Sequence, residues 1–391
     1  MFRKKHLIIT AAITATFAWI LSAIVFFAVT IFSNSGDVLV RARNLIADNY
    51  VDPLTDEQVA RMNDMAISAM VYSLGDPYSN YLNVNALASY QEEKKENYKG
   101  IGVSVNFNSE TEEMTVISPY DNSPAQRAGI LPGDVIKKVG DMAVTSDTYD
   151  AVLEYIKAGD DEEITLSVLR GEESLSFSLR REEIKRQSVT HKMYAGGIGY
   201  IRVSEFIHNT KDDFRAAIDD LKSRNMQGLI IDLRNNPGGY ADTVIDMTDS
   251  LLPEGVIAYL EDNQGRRQYF NSDEKALGLP MAVLINQGTA SASELLAGSL
   301  QAHGLATVIG EKSYGKAVGQ SVYRLTSKTA IYLTSARYFT PKGECIDGVG
   351  IMPDIQVSLP EELMGKISLL EPEEDPQLSA ALQVLNPELI N

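Results

Sequence analysis

The chain opens with a long uncharged segment. No charged residue occurs at positions 7–33, and a helix of that length extends about 40 Å, enough to cross a bilayer. Basic residues at positions 3–5 precede the segment and Asp37 follows it, so the positive-inside rule places the N-terminus in the cytoplasm. We therefore predict that residues 1–36 form a cytoplasmic tip and a single-pass anchor in the cell membrane, with the remainder extracytoplasmic. A cleaved signal peptide is the alternative, but no small-x-small cleavage site follows Phe32.

After the anchor the hydrophobic pattern changes from helical to strand spacing. Apolar residues within 38–70 predict two helices separated by a turn at Asp52-Pro53, and we assign residues 37–99 to an N-terminal helical segment. From 100 to 182, short alternating runs lie between Gly and Pro turns. They predict a small β-rich domain with one helix at 148–158.

Beyond residue 182, strands alternate with helices. Residues 228–233 and 281–286 are continuous apolar runs, which are typical of strands covered on both faces. They predict a layered α/β domain over 183–358. The sheet is expected to be mixed, because residues 329–335 have the pattern of an alternating strand. The fold class is therefore α+β and multidomain.

Composition narrows the function classes. The 391 residues carry a net charge of −18, which disfavours nucleic acid as a partner. The lone Cys345 can form neither an intrachain disulfide nor a cysteine-rich zinc site, and no His-Glu-x-x-His pattern is present. We expect no metal and no cofactor. The tail at 359–391 ends in a short predicted helix at 377–385, and this helix and residues 38–90 are candidates for pairing two subunits in a homodimer.

Ser291 is the first candidate for chemistry. It follows a buried strand and precedes an apolar helical run. With Glu294 it forms a capping-box pattern, and capping is the simplest explanation of the pair. However, the small residues around it, which include Gly288 and Ala292, leave room for an incoming chain. The backbone N–H of Ala292 is then available to hold an oxyanion.

A serine nucleophile needs a base, because its hydroxyl is weakly nucleophilic at neutral pH. The four histidines lie before the anchor, near element ends, or three turns along the helix that Ser291 opens, which disfavours a Ser-His-Asp triad. Lys316, in a glycine-containing loop after another buried strand, is the better candidate. Lysine becomes a base only where desolvation lowers its ordinary pKa of about 10.4. An exposed loop lysine is the competing interpretation. Gln320 could hydrogen-bond the amine and orient it.

The turn after the strand at 228–233 is a third candidate element. It ends in Gly238-Gly239, and open α/β sheets bind ligands where strands end in such turns. The N–H groups of Gly238 and Gly239 could complete an oxyanion hole with that of Ala292. The turn lacks the Lys-Ser/Thr pair of a phosphate loop.

Residues 100–182 resemble a PDZ domain. The similarity rests on Gly100-Ile101-Gly102, on Ser-Pro-Ala and Ala-Gly-Ile sequences within 123–130, and on Pro-Gly-Asp at 132–134. In such a domain the glycine loop and the strand after it bind a peptide C-terminus. We therefore assign peptide binding to Gly100, Ile101, Gly102 and Val103. A small β-barrel whose glycines serve only turns is the alternative.

Taken together, the motifs resemble the C-terminal processing peptidases, also called tail-specific proteases. These are serine proteases with a Ser-Lys pair and an embedded PDZ domain. The resemblance covers most of the chain after the anchor and includes Asp-Pro-Tyr-Ser at 76–79, the turn at 232–239 and Thr-Ser-Ala-Arg-Tyr-Phe-Thr-Pro at 334–341. It implies a crotonase- or ClpP-like protease domain and, as substrates, the C-terminal tails of extracytoplasmic or membrane proteins.

The same resemblance assigns roles to single residues. Ser291 matches the nucleophile, Lys316 the general base and Gln320 the residue that orients the base. In regulated members a PDZ arginine reaches the catalytic glutamine and switches the protease on, and Arg170 is the candidate for it. Pro237 stands where some members have a third glycine, which leaves open which glycine N–H faces the oxyanion.

Two other functions stay open at this stage. One is a membrane-tethered PDZ adaptor with an inactive protease domain, against which the joint retention of Ser291, Lys316 and Gln320 argues. The other is an acyl-CoA hydratase-like enzyme built from similar βα units, for which nothing requires a Ser-Lys pair.

Overall fold

The computed structural model describes residues 38–386 apart from short gaps, which are 94–96, 109–110, 121–122, 132, 159–162, 274, 361–362 and 364–366. The described chain divides into two compact units, residues 38–83 with 324–331 and residues 84–323 with 332–386. The predicted membrane anchor at 7–33 lies outside the described residues. Within them, no helix combines the length and the apolar character needed to cross a membrane.

The first unit contains the two predicted helices. Helix α1 spans Val38–Asn49, α2 spans Asp56–Tyr72, and strand β1 follows at Asn80–Leu82. A reciprocal capping box begins α2, since the Thr55 hydroxyl accepts the Gln58 N–H and the Gln58 side chain accepts the Thr55 N–H. Large apolar side chains of this unit are exposed, including Val38, Met65 and Tyr72.

The PDZ-like part of the second unit is an antiparallel sheet with helices packed on it. Helix α3 (Val84–Glu93) precedes this part, whose elements are β2 (Asn97–Gly100), β3 (Val103–Asn108), β4 (Glu113–Pro119), α4 (Pro124–Ala128), β5 (Val135–Val139), β6 (Met142–Ala143), α5 (Tyr149–Ala158), β7 (Glu163–Arg170), β8 (Glu173–Arg180) and β9 (Glu182–Lys185). Five strands pair in the order β3-β4-β5-β7-β8, with β6 beside β5. Strands β2 and β9 pair antiparallel, so the chain enters and leaves this part through neighbouring strands.

The remainder of the second unit is a layered α/β structure. Its elements are β10 (Val189–Tyr194), β11 (Ile198–Val203), α6 (Thr210–Ser223), β12 (Gly228–Asp232), α7 (Ala241–Asp249), β13 (Gly255–Asp262), β14 (Arg267–Ser272), β15 (Met281–Ile285), α8 (Ala292–Ala302), β16 (Ala306–Gly310), β17 (Val318–Arg324), β18 (Ala330–Phe339), β19 (Ile355–Gln356) and α9 (Pro376–Leu385). One sheet has the order β10-β11-β12-β15-β16-β19, in which only the β10–β11 pair is antiparallel.

Both faces of this sheet are covered, as the continuous apolar runs predict. Leu229 and Ile231 of β12 belong to the apolar cluster that includes residues of α6, α7 and α8. Ile230, which points the other way, belongs to the cluster that includes Leu378 and Ala381 of α9. The short helix predicted at 377–385 is therefore present and packs on the sheet.

The sequence assignment of residues 329–335 needs a correction. Residues 330–335 do form strand, but β18 pairs with β13 in a second sheet that also contains β14 and β17. The mixed character of the main sheet comes instead from β10. Alternation predicts a half-buried strand, but it does not specify the pairing partner.

Parallel pairing places the ends of three strands together. Strands β12, β15 and β16 are neighbours in register, with Asp232 opposite Leu284 and Ile285 opposite Gly310. Three connecting segments follow these strands: the glycine turn (233–240) with Gly238-Gly239, the serine turn (286–291) with Ser291, and the lysine loop (311–317) with Lys316. The candidate residues therefore lie at one edge of one sheet.

Candidate active site

Ser291 immediately precedes α8 in a strained backbone conformation. Its φ is 56° and its ψ is −117°, a combination that L-residues rarely adopt and that costs about 1–3 kcal/mol. An ordinary N-cap residue is instead extended. Ser291 lines a cleft of about 620 Å³. A strained serine on a turn between a strand and a helix is the arrangement that exposes the nucleophile in α/β-hydrolases.

The carboxylate of Glu294 joins the serine turn to the lysine loop. It is fully buried, and its Oε2 accepts the N–H of Ser291 at 2.9 Å and the N–H of Lys316 at 2.8 Å. Its Oε1 accepts the N–H of Gly315 at 2.7 Å and the hydroxyl of Ser313 at 2.5 Å. One oxygen atom thus holds the backbone nitrogens of Ser291 and Lys316 within two hydrogen-bond lengths of each other. Sequence reasoning identified Glu294 only as a capping partner.

The glycine turn packs directly against the serine. A Cβ added to Gly238 would lie 2.8 Å from Ser291 Cβ and 3.0 Å from Ala292 N. The N–H of Gly238 already donates to Asn236 Oδ1 at 2.9 Å. By contrast, the N–H groups of Gly239 and Ala292 have no hydrogen-bond partner within the described part of the chain. The N–H groups of Gly239 and Ala292 are therefore available as backbone donors, whereas that of Gly238 is not.

Asn236 fastens the glycine turn to the serine turn. It is fully buried, and its backbone oxygen accepts the N–H of Ala290 and the hydroxyl of Ser293, each at 3.0 Å. Its side-chain nitrogen donates to the carbonyl oxygen of Val203 at 2.9 Å. The residues on both sides of Ser291 are thus hydrogen-bonded to one asparagine. No local sequence pattern predicts this role of Asn236.

Lys316 and Gln320 occupy different parts of the site. Lys316 is half-buried, with its backbone fixed by Glu294, and its side chain does not belong to the described lining of the cleft. Gln320 does line the cleft, and its amide nitrogen donates to Thr334 Oγ1 at 3.2 Å and to the carbonyl oxygen of Val318 at 3.4 Å. The role of Gln320 in orienting the lysine amine stays a prediction.

The walls of the cleft are mainly apolar. Arg186 and Glu205 also belong to the lining and form an ion pair with each other. Apolar lining residues include Val244, Ile245, Leu260, Phe270, Leu295 and Val318. A cleft of this kind suits an uncharged, apolar stretch of peptide.

Tyr338 reaches the serine turn from β18. Its side chain is 5% exposed, and its hydroxyl donates to the carbonyl oxygen of Ser291 at 2.9 Å. Burial raises the pKa of Tyr338 well above its ordinary value, and the charges of Glu294 and Asp347 raise it further. The hydroxyl therefore stays protonated and remains a donor. The sequence places Tyr338 only within the motif at 334–341 and assigns it no role of its own.

A buried charge cluster supports the start of the glycine turn. Arg234, Asp232 and Asp375 are unexposed, and Arg234 lies 2.6 Å from Asp232 and 2.8 Å from Asp375. The Tyr200 hydroxyl donates to Asp232 at 2.7 Å. Burial alone would raise the pKa of Asp232, but the charges of Arg234 and Arg202 outweigh it and lower that pKa to about 2. Asp232 is therefore an ionised counter-ion.

The predicted peptide-binding residues lie where the chain enters the PDZ-like part. Gly100 ends β2, and Val103 begins β3, the strand at one end of the sheet. The N–H groups of Ile101 and Gly102 have no hydrogen-bond partner among the described residues. A free sheet edge beside available N–H groups is compatible with binding of a peptide C-terminus.

Arg170 is engaged within the PDZ-like part. Its Nε and Nη2 donate to the two carboxylate oxygens of Asp134 at 2.7 and 2.8 Å, and Nη2 also donates to the carbonyl oxygen of Gly129 at 2.8 Å. Burial would raise the pKa of Asp134, but the Arg170 hydrogen bonds and charge lower it. The Gln320 amide contacts Thr334, so the predicted pairing of Arg170 with Gln320 is not made in this conformation.

Comparison with known proteins identifies the family. The model for peptidase family S41 matches residues 197–357, and that for the PDZ domain matches residues 115–170. A carboxy-terminal-processing protease of Bartonella bacilliformis is 36% identical over 344 residues, which cover 84% of this chain and 76% of that protein. The chain belongs to peptidase family S41.

Other S41 relatives agree with this. A carboxyl-terminal-processing protease of Synechocystis is 34% identical over 327 residues, covering 82% of this chain and 76% of that protein. The solved photosystem II D1 C-terminal processing protease superposes with a TM-score of 0.53 at 26% identity, covering 87% of this chain and 97% of that one. The protein is thus a C-terminal processing serine protease with a PDZ domain, and the predicted family and enzyme class are confirmed.

Proposed function

We propose that this S41 protease cleaves proteins through an acyl-enzyme in which Ser291 is the nucleophile and Lys316 the general base. The observation that carries the proposal is the shared Oε2 atom of Glu294, which accepts the N–H groups of both residues. Proton transfer needs the two side chains within hydrogen-bond reach, and fixing both backbones to one carboxylate oxygen favours that.

The geometry supports a defined sequence of steps. The neutral Lys316 amine takes the proton of the Ser291 hydroxyl as Oγ bonds to the substrate carbonyl carbon. The N–H groups of Ala292 and Gly239 hold the resulting oxyanion. When the C–N bond breaks, the Lys316 ammonium returns the proton to the leaving amine, and water then hydrolyses the ester. Gln320 orients the Lys316 amine after its side-chain amide gives up the hydrogen bond to Thr334 and forms one with the amine.

The PDZ domain selects the substrate in this proposal. The N–H groups of Ile101 and Gly102 receive the terminal carboxylate, while Gly100 and Val103 border the added peptide strand. Arg170 is the proposed switch, which leaves Asp134 and reaches Gln320 when a tail is bound.

The protein is proposed to work at the outer face of the cell membrane, anchored by residues 7–33. Its substrates are then the C-terminal tails of extracytoplasmic or membrane proteins. Exposed apolar side chains on α1 and α2 support pairing of two copies as a homodimer, whereas the apolar face of α9 packs on its own sheet. Deletion of residues 1–36 is expected to move the protein from the membrane to the soluble fraction. Retention in the membrane would contradict the anchor.

Two variants test the mechanism. Wild type should cleave a peptide with an apolar free C-terminus, and Ser291→Ala and Lys316→Ala should not, although their thermal unfolding stays close to that of wild type. A serine-reactive fluorophosphonate should label wild type at Ser291. Activity that persists in either variant would contradict the assignment.

A further inference from the structure

The carbonyl oxygen of Ser291 accepts two hydrogen bonds. One comes from the N–H of Leu295 at 3.0 Å and is the ordinary bond of a helix start. The other comes from the Tyr338 hydroxyl at 2.9 Å, from a residue 47 positions further along the chain. A helix needs only the first bond, so the second requires another explanation.

This carbonyl belongs to the same peptide unit as the N–H of Ala292. A peptide unit is planar, and its C=O and N–H point in opposite directions. A donor that fixes the Ser291 oxygen therefore also fixes the direction of the Ala292 N–H, which has no hydrogen-bond partner among the described residues. Because the backbone of Ser291 is strained, neighbouring groups must hold this unit in place.

Tyr338 is well placed to do so. Its ring is 5% exposed, and its backbone N–H donates to the carbonyl oxygen of Ala317 at 3.0 Å. Ala317 directly follows Lys316. The hydroxyl of Tyr338 therefore positions the serine peptide relative to the lysine loop and not only relative to its own strand.

We infer that Tyr338 is a positioning residue for the oxyanion hole, whose hydroxyl aims the Ala292 N–H at the developing oxyanion through the shared peptide unit with Ser291. The hydrogen bond also polarises this peptide and strengthens its N–H as a donor. The inference rests on the proposed function of Ser291. It adds a residue that touches neither the substrate nor the base.

The test compares two tyrosine-to-phenylalanine variants. Tyr338→Phe removes the hydroxyl and keeps the ring. Tyr259→Phe is the matched control, because Tyr259 is 7% exposed, stacks on Phe339 and does not belong to the described cleft lining. Loss of an oxyanion donor lowers kcat by about 10²–10³. Misdirecting a donor that is still present should cost less, and we expect a fall of about tenfold in kcat.

Further measurements separate positioning from simple stability. In Tyr338→Phe, KM should stay within about twofold, because the ground-state contacts remain. A peptide aldehyde, which forms a hemiacetal with Ser291 and occupies the oxyanion hole, should bind about tenfold more weakly. Tyr259→Phe should change none of these values. 4-Aminophenylalanine at position 338 carries an amino group that can donate from the place of the hydroxyl, and it should restore most of kcat. This rescue distinguishes a lost donor from a misfolded variant.

Several outcomes would overturn the inference. These are an unchanged kcat in Tyr338→Phe, a rise in KM alone, an equal loss in Tyr259→Phe, or no rescue by 4-aminophenylalanine. Wild type and Ser291→Ala belong in the same series. An inactive wild type or an active Ser291→Ala overturns the proposed function and this inference with it. A normal Tyr338→Phe beside an inactive Ser291→Ala overturns only the role of Tyr338.

Discussion

The guanidinium of Arg234 lies 2.8 Å from the carboxylate of Asp375, and neither side chain is exposed to solvent. Arg234 begins the turn that carries Gly238 and Gly239. Asp375 begins α9, since its Oδ1 accepts the N–H groups of two residues in the first turn of that helix. The last described helix is therefore attached to the base of the active-site turn by charge as well as by apolar packing.

Replacing Asp375 by Asn should destabilise the protein strongly. The variant keeps the shape and the capping oxygen but leaves Arg234 with one buried counter-charge fewer. Loss of one partner of a buried ion pair costs about 3–5 kcal/mol. Urea unfolding should show a decrease of this size in the free energy of unfolding. Glu374→Gln, an exposed neighbour, should change stability by less than about 0.5 kcal/mol. Equal unfolding midpoints for the two variants would contradict the role of this ion pair.

The same cluster predicts a loss of stability in acid. The pKa of Asp232 is about 2 in the folded protein, against an ordinary value of 3.8. A carboxyl group whose pKa is lowered by folding stabilises the folded state above its ordinary pKa, and this contribution is lost as the pH falls from about 4 towards 2. A shift of this size corresponds to about 2–3 kcal/mol. Across this pH range, the free energy of unfolding should fall more steeply with decreasing pH in wild type than in Asp232→Asn. Equal dependences on pH in the two proteins would contradict the lowered pKa of Asp232.

Lys316→Arg should be inactive although it keeps a long, basic side chain. A guanidinium has a pKa above 12 and cannot take the proton of Ser291. We expect kcat to fall by about 10³ or more. Lys312→Arg, in the same loop but exposed, should keep normal activity. An active Lys316→Arg would show that another group is the base.

Gly239 should not tolerate a side chain. Its φ is 144°, and an added Cβ would lie 2.1 Å from the backbone oxygen of Phe206. Gly239→Ala should lose about 3 kcal/mol or more of stability and most of its activity. Gly265→Ala also places a side chain at a positive φ, 73°, but in the left-handed region and with open space around the new Cβ, so about 1 kcal/mol is expected. Similar unfolding midpoints would exclude a steric role for the Phe206 contact.

Arg170→Ala should uncouple activity from tail binding. Basal cleavage is expected to persist, while stimulation by a tail peptide added in trans is lost, because no arginine can leave Asp134 for Gln320. Arg127→Ala is the control, since Arg127 is a PDZ arginine that pairs with the exposed Glu182. Unchanged stimulation in Arg170→Ala would reject the switch and leave Arg170 as a structural partner of Asp134.

Local pattern predicted several of the elements, but it predicted neither α7 and the β13–β14 pair nor the contacts between elements. The runs at 228–233 and 281–286 predicted their strands because burial on both faces removes polar residues from such segments. The link from Glu294 to Lys316 spans 22 positions and depends on parallel pairing of β15 with β16. A Ser-x-x-Glu pattern is identical whether the carboxylate only caps a helix or also binds a second loop. The Asn236 side chain likewise accepts the N–H of Gly238, a contact that the glycine pair in the sequence does not reveal.

The attachment of α9 to Arg234 also orders events during synthesis. Translation proceeds towards the C-terminus, so a nascent chain that has already released Ser291 and Lys316 still lacks Asp375. Until that residue arrives, Arg234 has Asp232 as a buried carboxylate partner but still lacks Asp375. We therefore expect the turn that begins at Arg234 to reach its full stability only once α9 has been made.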